Sequence, residues 1–415
     1  MNWNAVRKDF APLNRKAEGK KTVYFDNACS TLKPAGVIKA MQCYFEEHPG
    51  CGGKRASHYF GAQTEQECAS ARKKTAEFIN AKNSEVVWTK NTTESINLVA
   101  NSLKKRGGNI VCSVLDHHSL LLPFHRKCAE NSMELRVVEC GSECRITAEK
   151  FSEKIDKNTE LVAVTHASNV AGSILPAREI IKIAHENNAL ALVDGAQFAP
   201  HKAIDVKGLD ADFYCFSMHK MLGPSMGVLY GKEHLLKELN TFMVGGGTIR
   251  DVKYESHCFA PEYLSAPNKF EAGLQDYAGI IGSGAAIDYL ERIGMKNIEK
   301  REKRLCKKML EEISAIGSVK IIGPLNERER VATFSLILKK TASPKDIAEY
   351  LDSELPGRRV MLRAGTHCAN PLHYFLGLNP SKGDGSLRAS LYFYNSIEEI
   401  EFFAQELEKI LKKVK

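Results

Sequence analysis

From about Lys82 to Gly231, short apolar runs alternate with stretches in which apolar residues recur at helical spacing. The runs Val86–Thr89, Asn109–Val114, Glu134–Val138, Leu161–Thr165, Ala189–Val193, Phe213–Ser217 and Val228–Tyr230 predict strands. After Asn91, residues Ile96, Val99, Ala100 and Leu103 mark one helix face, and Asn91 with Glu94 forms an N-terminal capping signature. Such alternation predicts a mostly parallel sheet covered by helices on both faces. Ligands of these sheets bind beyond the carboxyl ends of the strands, so the residues leaving each strand matter most.

The pattern changes after Gly231. Val244 to Pro267 reads as a long irregular stretch with the triple glycine Gly245, Gly246, Gly247, expected to be an active-site or interface loop rather than a linker. Helical patterns follow from Tyr277 to about Ile316, then strand-like Val331–Leu338, a helix near Pro344–Glu354, and strands near Val360 and Leu387–Phe393. In the closing helix Ile397, Ile400, Ala404, Leu407, Leu411 and Val414 mark one face. The expected architecture is α/β: a large, mostly parallel-sheet domain over residues 17–284 and a small α+β domain over 285–415, with residues 1–16 packed on the small one.

Composition narrows the field. With 43% hydrophobic and 26% charged residues in 415, the chain has ample core material, which excludes disorder as its main state. The net charge of +8 is spread among acids, the pattern of a solvated surface, so no nucleic-acid partner is expected. No apolar run approaches a membrane span, and Met1–Phe10 lacks the apolar core of a secretory signal. A cytoplasmic protein in a reducing compartment is expected, with no membrane partner. The twelve cysteines have no disulfide-framework spacing, and most are expected to be small core hydrophobes, as Cys112, Cys215 and Cys306 are in apolar patterns. Cys140 and Cys144 lack a second ligand pair, so no metal site is expected.

The chemistry concentrates at two strand exits. Ala189–Val193 runs into Asp194-Gly-Ala-Gln197, where Asp194 alone would read as a helix cap. The next strand runs into Ser217-Met-His219-Lys220 and then Gly223-Pro224. A partly desolvated lysine at such an exit becomes nucleophilic enough to form a Schiff base. Pyridoxal phosphate requires that lysine, an acid for its pyridine nitrogen, and hydroxyl or amide donors for its phosphate. Asp194 precedes Lys220 by one strand–connection–strand unit, which suits both roles.

With these clusters, further motifs make the chain resemble the fold-type I pyridoxal-phosphate enzymes of the class V aminotransferase kind. These are Tyr24-Phe-Asp-Asn-Ala28, Thr92-Thr-Glu-Ser-Ile-Asn-Leu-Val99, Asp116-His-His118, Thr165-His-Ala-Ser-Asn-Val-Ala-Gly172, Phe270-Glu-Ala-Gly273, Arg363-Ala-Gly-Thr-His-Cys-Ala-Asn-Pro371 and Arg388-Ala-Ser-Leu-Tyr-Phe-Tyr-Asn395. Within that kind it is similar to the group II cysteine desulfurases, with selenocysteine lyases close by. The resemblance implies that Lys220 joins pyridoxal phosphate and moves the substrate's α-proton, and that Asp194 keeps the ring nitrogen protonated. It places Gln197 and Asn169 near the cofactor's phenolic oxygen and the substrate, His117 on the ring face as a proton-transfer candidate, and Thr93, Ser217 and His219 on the phosphate. Ala28, Asn169 and Arg388 fall on the substrate side, with Arg388 on its carboxylate. Without the resemblance, Asp116-His-His118 would read as an exposed polar turn.

Cys368 matches the desulfurase cysteine that attacks the substrate sulfur and becomes a persulfide. Adjacent His367, and Arg363 five residues upstream, are expected to favour its thiolate. Cys29 matches a position near the active site and is assigned no role. The implied activity is removal of sulfur from L-cysteine, leaving L-alanine and a Cys368 persulfide for a sulfur-acceptor protein or small thiol. That sulfur would feed iron–sulfur cluster or other sulfur-compound biosynthesis, and a homodimer is implied.

Three positions depart from the family pattern. Leu274-Gln275 replaces the threonine and proline after Gly273, Lys54 replaces a histidine in Lys54-Arg55-Ala56-Ser57-His58, and Gly377 to Gly385 reads as an insert. They keep open a selenocysteine lyase, a β-lyase of cysteine derivatives, or a non-catalytic scaffold.

Overall fold

The computed structural model describes residues 1–53, 56–104, 107–338 and 343–413. Lys54, Arg55 and Val414 lie outside the described residues.

Seven strands form the central sheet, in the order Val86–Thr89, Gly227–Gly231, Phe213–Ser217, Leu190–Asp194, Thr159–Thr165, Asn109–Ser113, Glu134–Val138. All pairings are parallel except those of Gly227–Gly231, which runs antiparallel to both neighbours. The period-two alternation of strands divides the side chains between two cores. Val111, Val162, Val164, Val193, Tyr214 and Phe216 face one core. Ile110, Cys112, Leu161, Leu192, Phe213 and Cys215 face the other. Burial on both faces explains the unbroken apolar runs in the sequence.

A second unit pairs Val319–Ile322, Thr333–Leu338, Ser386–Ser390 and Arg363–Gly365 antiparallel, backed by the helices Met295–Ser314, Pro344–Ser353 and Ile397–Lys413. Its core holds Leu305, Met309, Phe334, Leu336, Leu351, Phe403 and Leu407.

Two expectations need correction. The strand Lys20–Tyr24 pairs in parallel with Arg358–Met361, and Val23 and Phe25 lie in the core of the second unit, so a division at residue 17 separates β partners. Phe10 sits in the large core with Tyr289, Phe393 and Tyr394, whereas Arg7 bonds to Glu399 of the closing helix. The N-terminal segment therefore lies at the seam between the two cores, not on the small unit alone. Aromatic residues distant in sequence build this seam, and no local period announces it.

The stretch expected to be irregular is an antiparallel hairpin, Ile249–Glu255 with Cys258–Tyr263. Its turn residues Ser256 and His257 both have positive φ, 49° and 60°, the handedness that two-residue hairpin turns favour. Nearly every hairpin position is exposed, so no buried face imposed an alternating pattern.

Candidate active site

Asp194 is the last residue of its strand and is buried; its Oδ1 accepts from Ala196 N at 2.9 Å. Among the described residues its carboxylate makes no ion pair within hydrogen-bond reach. Burial pushes its pKa up, against the opposing pull of the Ala196 amide and the Lys220 charge. One strand over, Phe213–Ser217 leads into a short 3-10 turn, Met218–Lys220, that presents His219 and Lys220. Burial lowers the Lys220 amine; Asp194 opposes the fall and Arg388 adds to it. Burial, then Lys220 and Lys33, push His219 down to about 4.

Two of the phosphate candidates, Thr93 and Ser217, lie at the N-terminus of the helix Thr92–Ser102, whose dipole favours an anion. Ser217 Oγ accepts from Thr92 N at 2.9 Å and lies 2.6 Å from Thr92 Oγ1, which locks the lysine-bearing strand to this helix. Thr93 is exposed, its hydroxyl 2.7 Å from that of Ser119.

Asp116 fixes His117. Its carboxylate accepts from Ser113 N at 2.6 Å and Thr165 N at 2.9 Å, tying two strand ends together, and burial raises its pKa to about 7. His117 caps the next helix, accepting from Ser119 N at its Nδ1 (3.0 Å), so a neutral ring carries its proton on Nε2. Burial, followed by the charges of Lys220, His118 and Arg388, lowers its pKa to about 3.

The residues expected on the substrate side come from both units. Ala28 N donates to Ser390 Oγ and Ala28 O accepts from Gln197 Nε2, each at 2.8 Å. Arg388 Nη1 donates to Asn169 O at 3.2 Å and Nη2 to Asp26 Oδ1 at 3.4 Å. Asn169 Nδ2 donates to His367 O at 2.7 Å. Gly172 fastens the Asn169 loop to the strand Thr333–Leu338: its φ is +70° and a Cβ there would lie 2.6 Å from Thr333 O.

Cys368 is exposed on the turn between Arg363–Gly365 and Asn370–Phe375, with φ at 57°. His118 pins this turn twice: its N donates to Cys368 O at 2.9 Å, and its Nε2 accepts from Asn370 N at 3.2 Å. The expected cationic neighbours of the thiol are arranged otherwise. Arg363 Nη2 donates to Asp26 Oδ2 at 2.7 Å and to Cys29 Sγ at 3.0 Å. His367 turns inward, its Nε2 3.1 Å from Ser386 Oγ, and burial holds its pKa well below the ordinary value. Arg363 begins a strand paired with Ser386–Ser390, where its guanidinium is held by Asp26 and Cys29, so proximity in sequence misplaced it.

Asp26 and His118 were the roles missed. Asp26 holds both Arg363 and Arg388, and His118 holds the Cys368 turn. Both stand inside quoted motifs, but their partners are brought to them only by folding.

These residues fit pyridoxal phosphate. Asn169 Oδ1 and Arg388 Nε are buried with no partner among the described residues, an acceptor and a donor left open in the same site. A buried unpaired polar group is costly unless a ligand satisfies it. Asp194 without a cation suits a protonated ring nitrogen, and the desolvated Lys220 amine suits covalent attachment. Among the described residues no group of three or more His, Cys, Asp or Glu could hold a metal ion. No helix among them is long and apolar enough to cross a membrane.

Comparison with known proteins agrees with this geometry. The aminotransferase class-V model matches residues 23–403. A probable cysteine desulfurase of Halalkalibacterium halodurans is 37% identical over 99% of this chain and 98% of its own. A cysteine desulfurase of Synechococcus elongatus is 36% identical over 98% of this chain, which spans 63% of that longer relative. The apo structure of a cysteine desulfurase from Thermococcus onnurineus NA1 superposes with a TM-score of 0.91 at 37% identity, covering 99% of this chain and 98% of that one. With a fold, a lysine–aspartate pair and full-length relatives in agreement, the chain belongs to the class-V aminotransferase family, among its cysteine desulfurases.

Proposed function

We propose that the chain is a pyridoxal-phosphate-dependent cysteine desulfurase, a sulfurtransferase that converts L-cysteine to L-alanine and carries the sulfur away as a persulfide on Cys368. The observation that carries this reading is the placing of Lys220 and the buried Asp194 at the carboxyl ends of two adjacent parallel strands.

Lys220, Asp194, Gln197, Asn169 and His117 would hold the cofactor, with Thr93, Ser217 and His219 on its phosphate. When bound, pyridoxal phosphate supplies an electron sink for charge developing at the substrate α-carbon. Arg388 orients the substrate through its carboxylate, where the open Nε donor gains a partner. Lys220 removes the α-proton at Nζ, and its depressed basicity keeps a neutral amine available. His117, neutral with Nε2–H, is placed to pass a proton near the same centre. Cys368 thiolate then attacks the substrate sulfur: an S–S bond forms as the Cβ–S bond breaks. Protons replace sulfur on the carbon skeleton, giving alanine. The exposed position of Cys368 suits hand-over to an acceptor protein or small thiol, for iron–sulfur clusters or other sulfur compounds.

A homodimer working in the cytoplasm completes the reading. Leu274 and Phe259 are 75% and 74% exposed, with Tyr254 and Val244 also exposed, an apolar surface that a second copy would cover.

The test is product analysis with L-cysteine, L-selenocysteine and L-alanine. Alanine with protein-bound sulfane sulfur from L-cysteine is expected. Pyruvate and free sulfide as main products would assign a β-lyase, strong preference for selenocysteine would assign the lyase, and no uptake of pyridoxal phosphate would indicate a scaffold.

A further inference from the structure

Lys220 stands on a piece of backbone that cannot hold itself. Met218–Lys220 is a single 3-10 turn, and Leu222, two residues on, has φ at 66°, a handedness unfavourable for a residue with a Cβ. The support comes from residues 30–33. The His219 carbonyl, in the peptide bond that begins Lys220, accepts from Lys33 Nζ at 2.9 Å and from Thr31 N at 3.0 Å. Thr31 Oγ1 and Ser30 Oγ approach the same oxygen at 3.2 and 3.3 Å. Thr31 Oγ1 in turn accepts from Leu222 N at 2.8 Å, so the chain is gripped on both sides of Lys220.

Lys33 is the strongest part of this grip. An ammonium has three N–H donors and no acceptor. Lys33 Nζ reaches three oxygens: Thr31 O at 2.6 Å, His219 O at 2.9 Å and Ser30 Oγ at 3.2 Å, with no carboxylate among them. Burial lowers its pKa to about 8, with the charge of Cys29 opposing, so the ammonium prevails at neutral pH. A carbonyl oxygen has two lone pairs, and a charged donor binds it about twice as strongly as a neutral one, so Lys33 outweighs the two hydroxyls. Without Lys33 the carbonyl keeps the Thr31 amide, so the turn is loosened rather than orphaned. The gripping segment is itself anchored: Leu32 N donates to Tyr394 Oη at 3.0 Å and Tyr24 Oη to Ser30 O at 2.7 Å.

Resting on the reading of Lys220 as the lysine that joins pyridoxal phosphate, we propose that Lys33 is a positioning residue for it. Its ammonium clamps the His219 carbonyl and so aims the Lys220 amine, first at the cofactor's aldehyde and then at the substrate α-proton. In the first step a carbon–nitrogen double bond replaces the carbon–oxygen one, and the aldehyde oxygen leaves with the two amine hydrogens as water. Both steps depend on where a single nitrogen points, and small misplacement of a reacting atom slows a step without weakening the binding of its partner.

The experiment compares the full chain with Lys33→Met at about pH 7, where Lys33 carries its charge. Cofactor-free protein is mixed with saturating pyridoxal phosphate, attachment is followed by absorbance, and borohydride trapping locates it on the Lys220 peptide. The loaded proteins are then assayed for exchange of the L-alanine α-hydrogen in deuterium oxide, which needs Lys220 but not Cys368. Lys33→Met is expected to bind a full complement of cofactor but to attach it about tenfold more slowly. Its kcat for exchange is expected to fall about tenfold, with KM for L-alanine unchanged. Lys33→Arg, which keeps the charge and the donors, is expected to stay within about threefold of wild type. Wild-type rates in Lys33→Met overturn the clamp, as do a raised KM with kcat unchanged and a Lys33→Arg as slow as Lys33→Met. Where Lys33→Met does not fold, Thr31→Val removes a second donor to the same carbonyl, and wild-type attachment and exchange there overturn the clamp as well. Each of these results leaves the desulfurase reading standing. No attachment to Lys220 in wild type would instead sink that reading, and the clamp with it.

Discussion

Asn169 Nδ2 donates to the carbonyl of His367 at 2.7 Å, so the residue before Cys368 hangs from the loop that leaves the strand Thr159–Thr165. The same residue leaves its Oδ1 open toward the site. Asn169 thus couples the position of the thiol proposed to attack substrate to the occupancy of the site. A single neutral hydrogen bond is worth about 1 kcal/mol net. Asn169→Ala is expected to slow single-turnover persulfide formation by about tenfold, allowing for a partly lost cofactor contact. It should also change the rate at which Cys368 is alkylated in the resting enzyme. Unaltered alkylation would show that the loop is held by other contacts, His118 foremost.

Cys368→Ala removes the sulfur proposed to attack substrate while leaving Lys220 and Asp194 untouched. Alanine production is expected to fall by at least about a thousandfold, with pyridoxal phosphate content unchanged. Cofactor absorbance and single-turnover alanine yield check both parts. Residual turnover near the wild-type rate would relocate the nucleophile.

The central sheet was legible because most of its strands are buried on both faces. Their apolar runs are unbroken and end at polar residues, which is why Val86–Thr89 and Phe213–Ser217 were bounded correctly and why Asp194 and Lys220 stood out. The second unit was less legible. Lys20–Tyr24 begins with two lysines and buries only Thr22 and Val23, and Arg363–Gly365 is too short to show a period. Within the site, residues acting at their own strand exits could be read. Asp26 could not, because its work depends on a bridge to Ser390 and on guanidinium groups from two C-terminal strands. Arg363 was assigned to Cys368 by distance along the chain, whereas sheet pairing turns it to Asp26 and Cys29.

Asp116 makes stability depend on pH in an unusual sense. Its pKa rises from 3.8 to about 7 on folding, because burial outweighs the two amides it accepts from. The folded state therefore binds the proton more tightly than the unfolded chain. Its stabilising contribution is fully present below about pH 4 and is lost as pH rises through about 7. Asp116→Asn, which cannot ionise, is expected to be less stable in acid, where it leaves one strand-end amide without an acceptor. The gap to wild type should narrow as pH rises from about 4 to about 7. Urea unfolding of both proteins across that range measures the gap, and a gap that widens with pH would mean that the carboxylate is stabilised as the anion.

Leu274 is 75% exposed directly after the Phe270-Glu-Ala-Gly273 motif, where Glu271 is clamped by Arg72 through two 2.8 Å hydrogen bonds and accepts from Trp88 N at 2.8 Å. The backbone carrying Leu274 is therefore anchored, and its exposed side chain is displayed from a fixed support. In the proposed two-fold homodimer each substitution counts twice. Burying a leucine is worth about 2 kcal/mol, so Leu274→Asp is expected to weaken association by about 4 kcal/mol, roughly a thousandfold. Light scattering on a dilution series should then find the variant monomeric at concentrations where wild type is dimeric. Equal dimerisation of the two proteins would place the interface elsewhere and leave Leu274 an exposed residue without a partner.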